Sequence, residues 1–228
     1  MVCEPGVSVT IDASFVREID AHYSQFPGAV KAAFPKALNE GARFARKVSV
    51  EAIMKDTAFP TGYLDKPERF YVAQFATPEQ PQAVLKARTR GTLLYEFAVG
   101  HPLPEATRGT GGKNWFGIST AERRQLQRSR GVTVIIKPGA PKTIPEAFVI
   151  PLKDSGALGI AVKLKNGQFP AMLKKNFIRT ELLNQEYYVL YGPSVDQVFR
   201  QVSEKVIPEV TSYLSAEFRR LFFVELGK

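Results

Sequence analysis

Residues 189–199, VLYGPSVDQVF, decide where the chain changes from sheet to helix. The apolar start of this stretch is typical of a buried strand, and Gly192 and Pro193 end it, since proline cannot donate to a strand ladder. Ser194 can cap a following helix, and Gln197, three residues later, completes a capping box. The stretch therefore predicts a strand, a tight turn and the first turn of a C-terminal helix.

Two long amphipathic helices are predicted from apolar residues that recur at helical spacing. The first runs from Pro27-Gly28 to about Lys55, with Pro35 as its start or as a kink. The second begins at Ser194 and keeps one apolar face as far as Phe222, although Pro208 predicts a kink or a division. A shorter helix is predicted between residues 12 and 23.

Short runs rich in branched and aromatic residues predict strands between these helices. Proline, glycine and asparagine separate the runs, which lie at residues 7–11, 69–76, 82–89, 132–136, 147–150, 159–164 and 187–191. Runs 69–76 and 82–89 are expected to pair as antiparallel neighbours. The sequence thus predicts an α+β fold: a mostly antiparallel sheet flanked by an N-terminal and a long C-terminal amphipathic helix, with loop insertions.

The 228 residues are predicted to form one domain, residues 1–228, with two irregular parts. Residues 98–130 are rich in glycine and arginine and predict a basic insertion that orders on assembly. In residues 168–185 the apolar residues follow neither the helical nor the strand spacing, which predicts a second extension.

The net charge of +9 is concentrated in the middle of the chain. Residues 58–180 hold 19 Lys and Arg against 8 Asp and Glu, whereas the parts before and after are nearly balanced. Such a surplus attracts polyanions, and it also suits a merely solvated basic surface. Trp115 and Phe116 lie within the basic insertion, where they can stack on bases or anchor a protein interface.

Motifs for catalysis and metal binding are scarce. The single cysteine, Cys3, excludes an intrachain disulfide, and two histidines are too few for most transition-metal sites. Glu146, followed by Lys153, resembles a metal-nuclease core only loosely, and acidic residues are scattered through the basic middle. We therefore predict a protein that is not an enzyme, with no cofactor, no metal site and no catalytic residues.

The order of elements, closed by Tyr191, Gly192, Pro193 and Ser194 at the strand-to-helix turn, resembles the minor tail protein Z family of long-tailed bacteriophages. Residues 42–47 (ARFARK) and 131–134 (GVTV) also fit this family, whereas residues 98–130 have no counterpart in it. The resemblance implies a tail-completion or neck protein of the virion, assembled in the host cytoplasm. It implies a homo-oligomeric ring, commonly a hexamer, in contact with head-closure, tail-terminator or tail-tube proteins.

In such a ring, arginines of the basic middle are expected to face either double-stranded DNA in the channel or acidic surfaces of partners. The arginines concerned are Arg88, Arg90, Arg108, Arg123, Arg124, Arg128 and Arg130. The alternative function is a DNA-binding or metal-dependent DNA-processing protein that uses the same basic region. No apolar run long enough for a membrane span and no signal peptide are found in the sequence.

Overall fold

A computed structural model describes most of the chain and confirms the α+β fold class. It describes residues 8–11, 25–100, 131–152, 156–163, 179–184 and 187–227. Helix α1 spans Pro27–Asp56 and helix α2 spans Val195–Leu226, as the apolar spacing predicts. The short helix predicted between residues 12 and 23 lies outside the described residues, as do residues 101–130 of the basic insertion.

The described residues form two compact units, whereas the sequence treats residues 1–228 as one domain. The helical unit takes its residues from Met1–Asp56, Thr61–Arg90 and Ser194–Lys228, and the sheet unit from Thr57–Pro60 and Gly91–Pro193. Apolar periodicity identifies which residues are buried, but it does not say which elements bury them together.

The core of the helical unit lies between α1 and α2, which pack antiparallel. Phe34 packs edge-on against Phe218 with ring centroids 6.0 Å apart, and Phe44 stacks on Tyr213 at 4.1 Å. Gly41 is covered by Leu214, because a Cβ at this position would stand 2.1 Å from Leu214 Cδ2. Large side chains fill most of the interface, and one glycine admits a leucine.

A three-stranded antiparallel sheet also belongs to the helical unit, in the order β1-β3-β2. Its strands are β1 (Ser8–Ile11), β2 (Phe70–Gln74) and β3 (Ala83–Ala87), so the predicted pairing of β2 with β3 is confirmed. Phe70 and Leu85 are buried in its inner face.

Two polar side chains of α1 bond to the backbone at opposite ends of β2. The Asn39 amide nitrogen donates to the Ala76 carbonyl at 3.0 Å, and the Ala76 N–H donates to the Asn39 carbonyl oxygen at 2.7 Å. At the other end, Arg46 Nε donates to the Phe70 carbonyl at 2.9 Å, and its Nη2 donates to Asp65 at 2.7 Å. These bonds fix the position of β2 on the helix.

A five-stranded antiparallel sheet forms the centre of the sheet unit, with β10 in its middle. Strand β9 pairs along one edge of β10, and β8 and then β4 pair along the other, since Tyr191 pairs with both Arg179 and Leu93. Strand β7 pairs with the far edge of β8. The strands are β4 (Thr92–Leu93), β7 (Phe148–Pro151), β8 (Leu158–Lys163), β9 (Arg179–Asn184) and β10 (Tyr187–Gly192).

Strands β5 (Val132–Lys137) and β6 (Ala140–Ile144) form a separate hairpin in the sheet unit. Val134 and Ile144 of this hairpin are buried, whereas residues 140–143 are exposed. The antiparallel strands of the described chain therefore belong to three sheets rather than to the single sheet predicted. Residues 179–184 of the predicted second extension form β9, and residues 168–178 and 185 lie outside the described residues.

The turn that decides the fold is built as its sequence predicts. The Gln197 N–H donates to Ser194 Oγ at 3.1 Å, and the Ser194 N–H donates to Gln197 Oε1 at 3.1 Å, which completes the capping box. Helix α2 then continues for 32 residues through Pro208, so it is not divided there, and the kink given as the alternative stays a prediction. Pro208 lies on the exposed side of α2, where solvent can reach the carbonyl left without a donor.

Candidate functional site

Three of the four residues of the strand-to-helix turn, Tyr191, Gly192 and Ser194, are buried and offer no binding surface, whereas Pro193 is half-buried. Tyr191 is 2% exposed and Ser194 is 3% exposed. Gly192 lies against Phe97, since a Cβ added there would stand 2.8 Å from Phe97 Cε2. A side chain buried to this degree cannot meet a partner, so the candidate site has to be sought elsewhere.

Of the seven arginines predicted to face DNA or a partner, Arg88 and Arg90 lie within the described residues. Both follow β3 directly. The Arg88 N–H donates to the Arg69 carbonyl at 2.9 Å, which extends the β2–β3 ladder by one residue and brings Arg69 opposite Arg88. Arg88 is half-buried and Arg90 is exposed.

The outer face of the β2–β3 pair carries Arg88 together with other cations and an exposed tyrosine. Tyr71 is 39% exposed and pairs across the strands with Lys86, which is also exposed. Because side chains alternate along a strand, Arg69, Tyr71, Lys86 and Arg88 occupy positions of one face, opposite to the buried Phe70 and Leu85. We call this set of four residues the basic ribbon.

The turn before β2 brings a further lysine beside the basic ribbon. Arg69 lies over the ring of Tyr63, with its guanidinium carbon 4.8 Å from the ring centroid, and Lys66 Nζ lies 5.4 Å from the same centroid. Tyr63 is buried, so the ring supports both cations from below. Sequence reasoning missed Lys66, Arg69 and Lys86, although cations at Lys86 and Arg88, two residues apart in a predicted strand, are the signal of a shared face.

A second surface lies where α1 begins and α2 ends. Phe26 contacts Phe222 with ring centroids 6.3 Å apart and is itself exposed. Phe223 is 64% exposed, and Val224 and Leu226 are exposed beside it in the last turn of α2. We call Phe26, Phe223, Val224 and Leu226 the apolar end of the helix pair. Phe223 and Leu226, three residues apart on α2, share one side of the helix, and exposed apolar side chains that share a side are typical of contact sites between proteins.

Titratable groups between the helices respond to local contacts. The pKa of Glu217 is lowered, chiefly by the hydrogen bonds that its carboxylate accepts from Arg220 at 2.6 and 2.9 Å. The pKa of Tyr213 is raised, first by burial against α1 and then by the negative charges of Glu217 and Glu40. The Glu217 shift thus arises within α2, whereas the Tyr213 shift follows mainly from the packing of α2 on α1.

Within the described ranges, no group of three or more His, Cys, Asp or Glu side chains is arranged to hold a metal ion. Glu146 lies in the left-handed region with φ of 60°, in the turn between β6 and β7. Lys153, Trp115, Phe116 and the arginines from Arg108 to Arg130 lie outside the described residues. Neither helix of the described chain contains an apolar stretch suited to crossing a membrane.

Comparison with models of protein families, with curated proteins and with solved structures finds no match to this chain.

Proposed function

We propose that the chain is a structural protein of the phage head–tail junction, a tail-completion or neck subunit that works by its contacts. The proposal starts from the resemblance of residues 189–199 to the minor tail protein Z family. It includes assembly of the chain into a homo-oligomeric ring, which we take to be a hexamer. The ring would contact head-closure, tail-terminator or tail-tube proteins. The proposal places the chain in the virion and gives it no catalytic role.

One observation carries the proposal: the apolar end of the helix pair is uncovered. Four apolar side chains, of which Phe223 is the most exposed, meet solvent at one end of a well-packed helix pair. Burying such a group stabilises by about 25 cal/mol for each Å² removed from water. A chain that works in a ring recovers this free energy when a neighbouring subunit covers the surface.

The direct test is a phage in which a stop codon interrupts the gene for this chain. Electron microscopy of the lysate is expected to reveal filled heads and finished tails that are not joined. Supplying the chain from a plasmid is expected to restore joined particles, and mass spectrometry of purified particles is expected to detect it. Intact infectious particles made without the chain would contradict the proposal.

A pair of variants tests whether the apolar end is the surface involved. Phe223→Gln combined with Leu226→Gln is expected to leave the isolated chain folded and to fail in restoring particles. The matched control, Glu204→Gln combined with Lys205→Gln, changes two exposed residues of the same helix and is expected to restore them. Equal restoration by both variants would show that this end of the helix pair is not a contact.

The alternative of a metal-dependent nuclease is tested with the same purified chain. Incubation with double-stranded DNA and Mg²⁺ is expected to leave the DNA intact. Cleavage that chelation abolishes and that Glu146→Gln removes would replace the structural proposal by the enzymatic one.

A further inference from the structure

The basic ribbon collects like charges on strands where they repel each other. Arg69 stands opposite Arg88 across the ladder, and Lys86 stands two residues before Arg88 on the same strand. Neighbouring strands are about 4.8 Å apart, and alternate residues of a strand are about 7 Å apart. Like charges directly opposite each other in a sheet are destabilising. Such an arrangement gains stability when a polyanion covers it.

Three described carboxylates lie near the ribbon, and the first is that of Asp196, whose N–H donates to the Arg88 carbonyl at 3.1 Å and whose carboxylate pairs with Arg200 at 3.1 Å. Asp65 pairs with Arg46 at 2.7 Å, so its charge is directed to α1. Glu68 is exposed in the turn before β2, and residues 82–90 contain no acidic residue. Among the ion pairs formed within the described residues, none involves Arg69, Lys86 or Lys66. Within the described part of the chain, Lys66, Arg69 and Lys86 are therefore not paired with a carboxylate.

The residue types of the ribbon suit phosphate rather than an apolar partner. Arginine, lysine and tyrosine are among the side chains that contact the phosphates of DNA, and arginine can bind a phosphate through two nitrogens. The buried ring of Tyr63 holds Arg69 and Lys66 side by side, which lowers the entropy that two long side chains lose on binding. An acidic protein surface would normally add an apolar centre, and Tyr71 is the one exposed apolar ring of the ribbon.

We propose that the basic ribbon, together with Lys66 and Arg90, binds the phosphate backbone of double-stranded DNA without reading its sequence. The inference rests on the proposed function, because it names the surface with which the junction protein meets DNA in the channel. It also assigns Lys66, Arg69, Tyr71 and Lys86 to a site that the sequence did not indicate.

The test measures binding of the purified full chain to a fluorescently labelled DNA duplex over a range of salt concentrations. Each phosphate contact contributes about 0.9 to the slope of log affinity against log salt. Arg69→Gln combined with Lys86→Gln is therefore expected to lower this slope by about 2. The matched control, Lys31→Gln combined with Lys205→Gln, removes the same charge from exposed helix positions and is expected to change the slope by less than half as much.

If the ribbon variant and the control lower the salt slope equally, the inference is overturned, because binding would then depend only on the net charge of the chain. A labelled polyglutamate peptide serves as the second probe. Binding to it that equals DNA binding and depends on the same residues would also overturn the inference, in favour of an acidic protein partner. The two experiments can fail separately. If the ribbon variant does not change DNA binding but the stop-codon phage still produces unjoined heads and tails, the ribbon assignment is wrong and the proposed function stands.

Discussion

Apart from Gly41, which lies against Leu214, the helix pair of the helical unit and the five-stranded sheet of the sheet unit are packed by different means. Between α1 and α2, large rings meet one another, as Phe34 meets Phe218 and Phe44 meets Tyr213. Around β10, a large side chain meets a glycine, as Phe97 meets Gly192 and Tyr191 meets Gly91. The first kind of packing is damaged by removing atoms and the second by adding them.

This difference determines which substitutions each unit tolerates. A ring-on-ring core loses contacts and keeps a cavity when a side chain is shortened. A glycine that lies under an aromatic ring leaves no room for a methyl group, so the smallest possible addition displaces a buried neighbour. The four predictions that follow test this comparison.

Shortening Phe218 to alanine should produce the largest effect. Phe218 is fully buried and its ring lies near those of Phe34 and Phe222. Phe218→Ala is expected to lower the free energy of unfolding by about 3–5 kcal/mol, measured by urea denaturation. Phe223→Ala, five residues further along α2 and 64% exposed, is the control and should cost less than about 0.5 kcal/mol in the isolated chain. Similar losses for the two variants would mean that the helix pair is not packed as described.

Adding a methyl group at Gly192 should rank second. Gly192→Ala directs a Cβ towards Phe97, at 2.8 Å from Cε2 and 3.2 Å from Cδ2, so the buried ring has to move. A loss of about 1–3 kcal/mol is expected in thermal or urea unfolding. Gly28→Ala in the first turn of α1 meets no atom within 4 Å and should be neutral or slightly stabilising. A neutral Gly192→Ala would contradict the close contact with Phe97.

Removing the cap of α2 should have a smaller effect than either. Ser194→Ala deletes the oxygen that accepts from the Gln197 N–H and is expected to cost about 1 kcal/mol. Ser194→Gly should cost only a few tenths of a kcal/mol, on the order of 0.3, because glycine is tolerated at a helix N-cap. The order of the two variants in urea denaturation is the result to measure, and the reverse order would exclude a capping role.

The smallest effect should come from the Glu217–Arg220 pair and should depend on pH. Hydrogen bonds from Arg220 lower the pKa of Glu217 in the folded chain. The pair therefore stabilises the folded chain fully at pH values above the ordinary pKa of a glutamate. This stabilisation is lost as the pH falls through the lowered pKa. The free energy of unfolding of Glu217→Gln should therefore be lower than that of the unsubstituted chain at pH 7. This difference should vanish in acid and shrink with added salt. A difference that persists in strong acid would assign the effect to packing instead. Glu204→Gln, at an exposed position of α2, is the control.

The helices were readable from the sequence because their signals are local. The capping box of Ser194 and Gln197 lies within four residues, and the apolar face of α2 repeats over about eight turns, from Val195 to Phe222. Pro208 does not divide α2, because it lies on the exposed side of the helix, where the carbonyl left without a donor is accessible to solvent. The tertiary packing of the face holds such a helix together.

The missed strands depend on partners that lie far away in the chain. Strand β4 has only two residues, Thr92 and Leu93, which is too short for any alternation to be seen. Strand β6 contains Pro141 and Lys142, residues that are rare in strands, and it forms because β5 pairs with it across a tight turn. Strand β9, RTELLN, is largely polar and gains its partner in β10. Partition of the strands into three sheets is likewise set by non-local pairing.

The candidate surfaces were predictable only in part. Arg88 and Arg90 belong to the predicted set, whereas Arg69 joins them because the β2–β3 register brings it opposite Arg88. The apolar end was not predicted at all, since Phe223 lies on the apolar C-terminal helix and only the position of α1 leaves it uncovered. The DNA-facing or partner-facing role of these residues remains a prediction.

The bonds of Asn39 have a consequence for a protein kept at high local concentration. Its carboxamide offers Ala76 one donor and one acceptor, as the peptide group of an added strand would. Arg46 occupies the outward carbonyl of Phe70 at the opposite end. An incoming chain that tried to add a strand along β2 would meet both side chains at the ends of this edge. The β2 edge thus resists extension by a neighbouring copy, whereas β1 forms the opposite edge of the sheet.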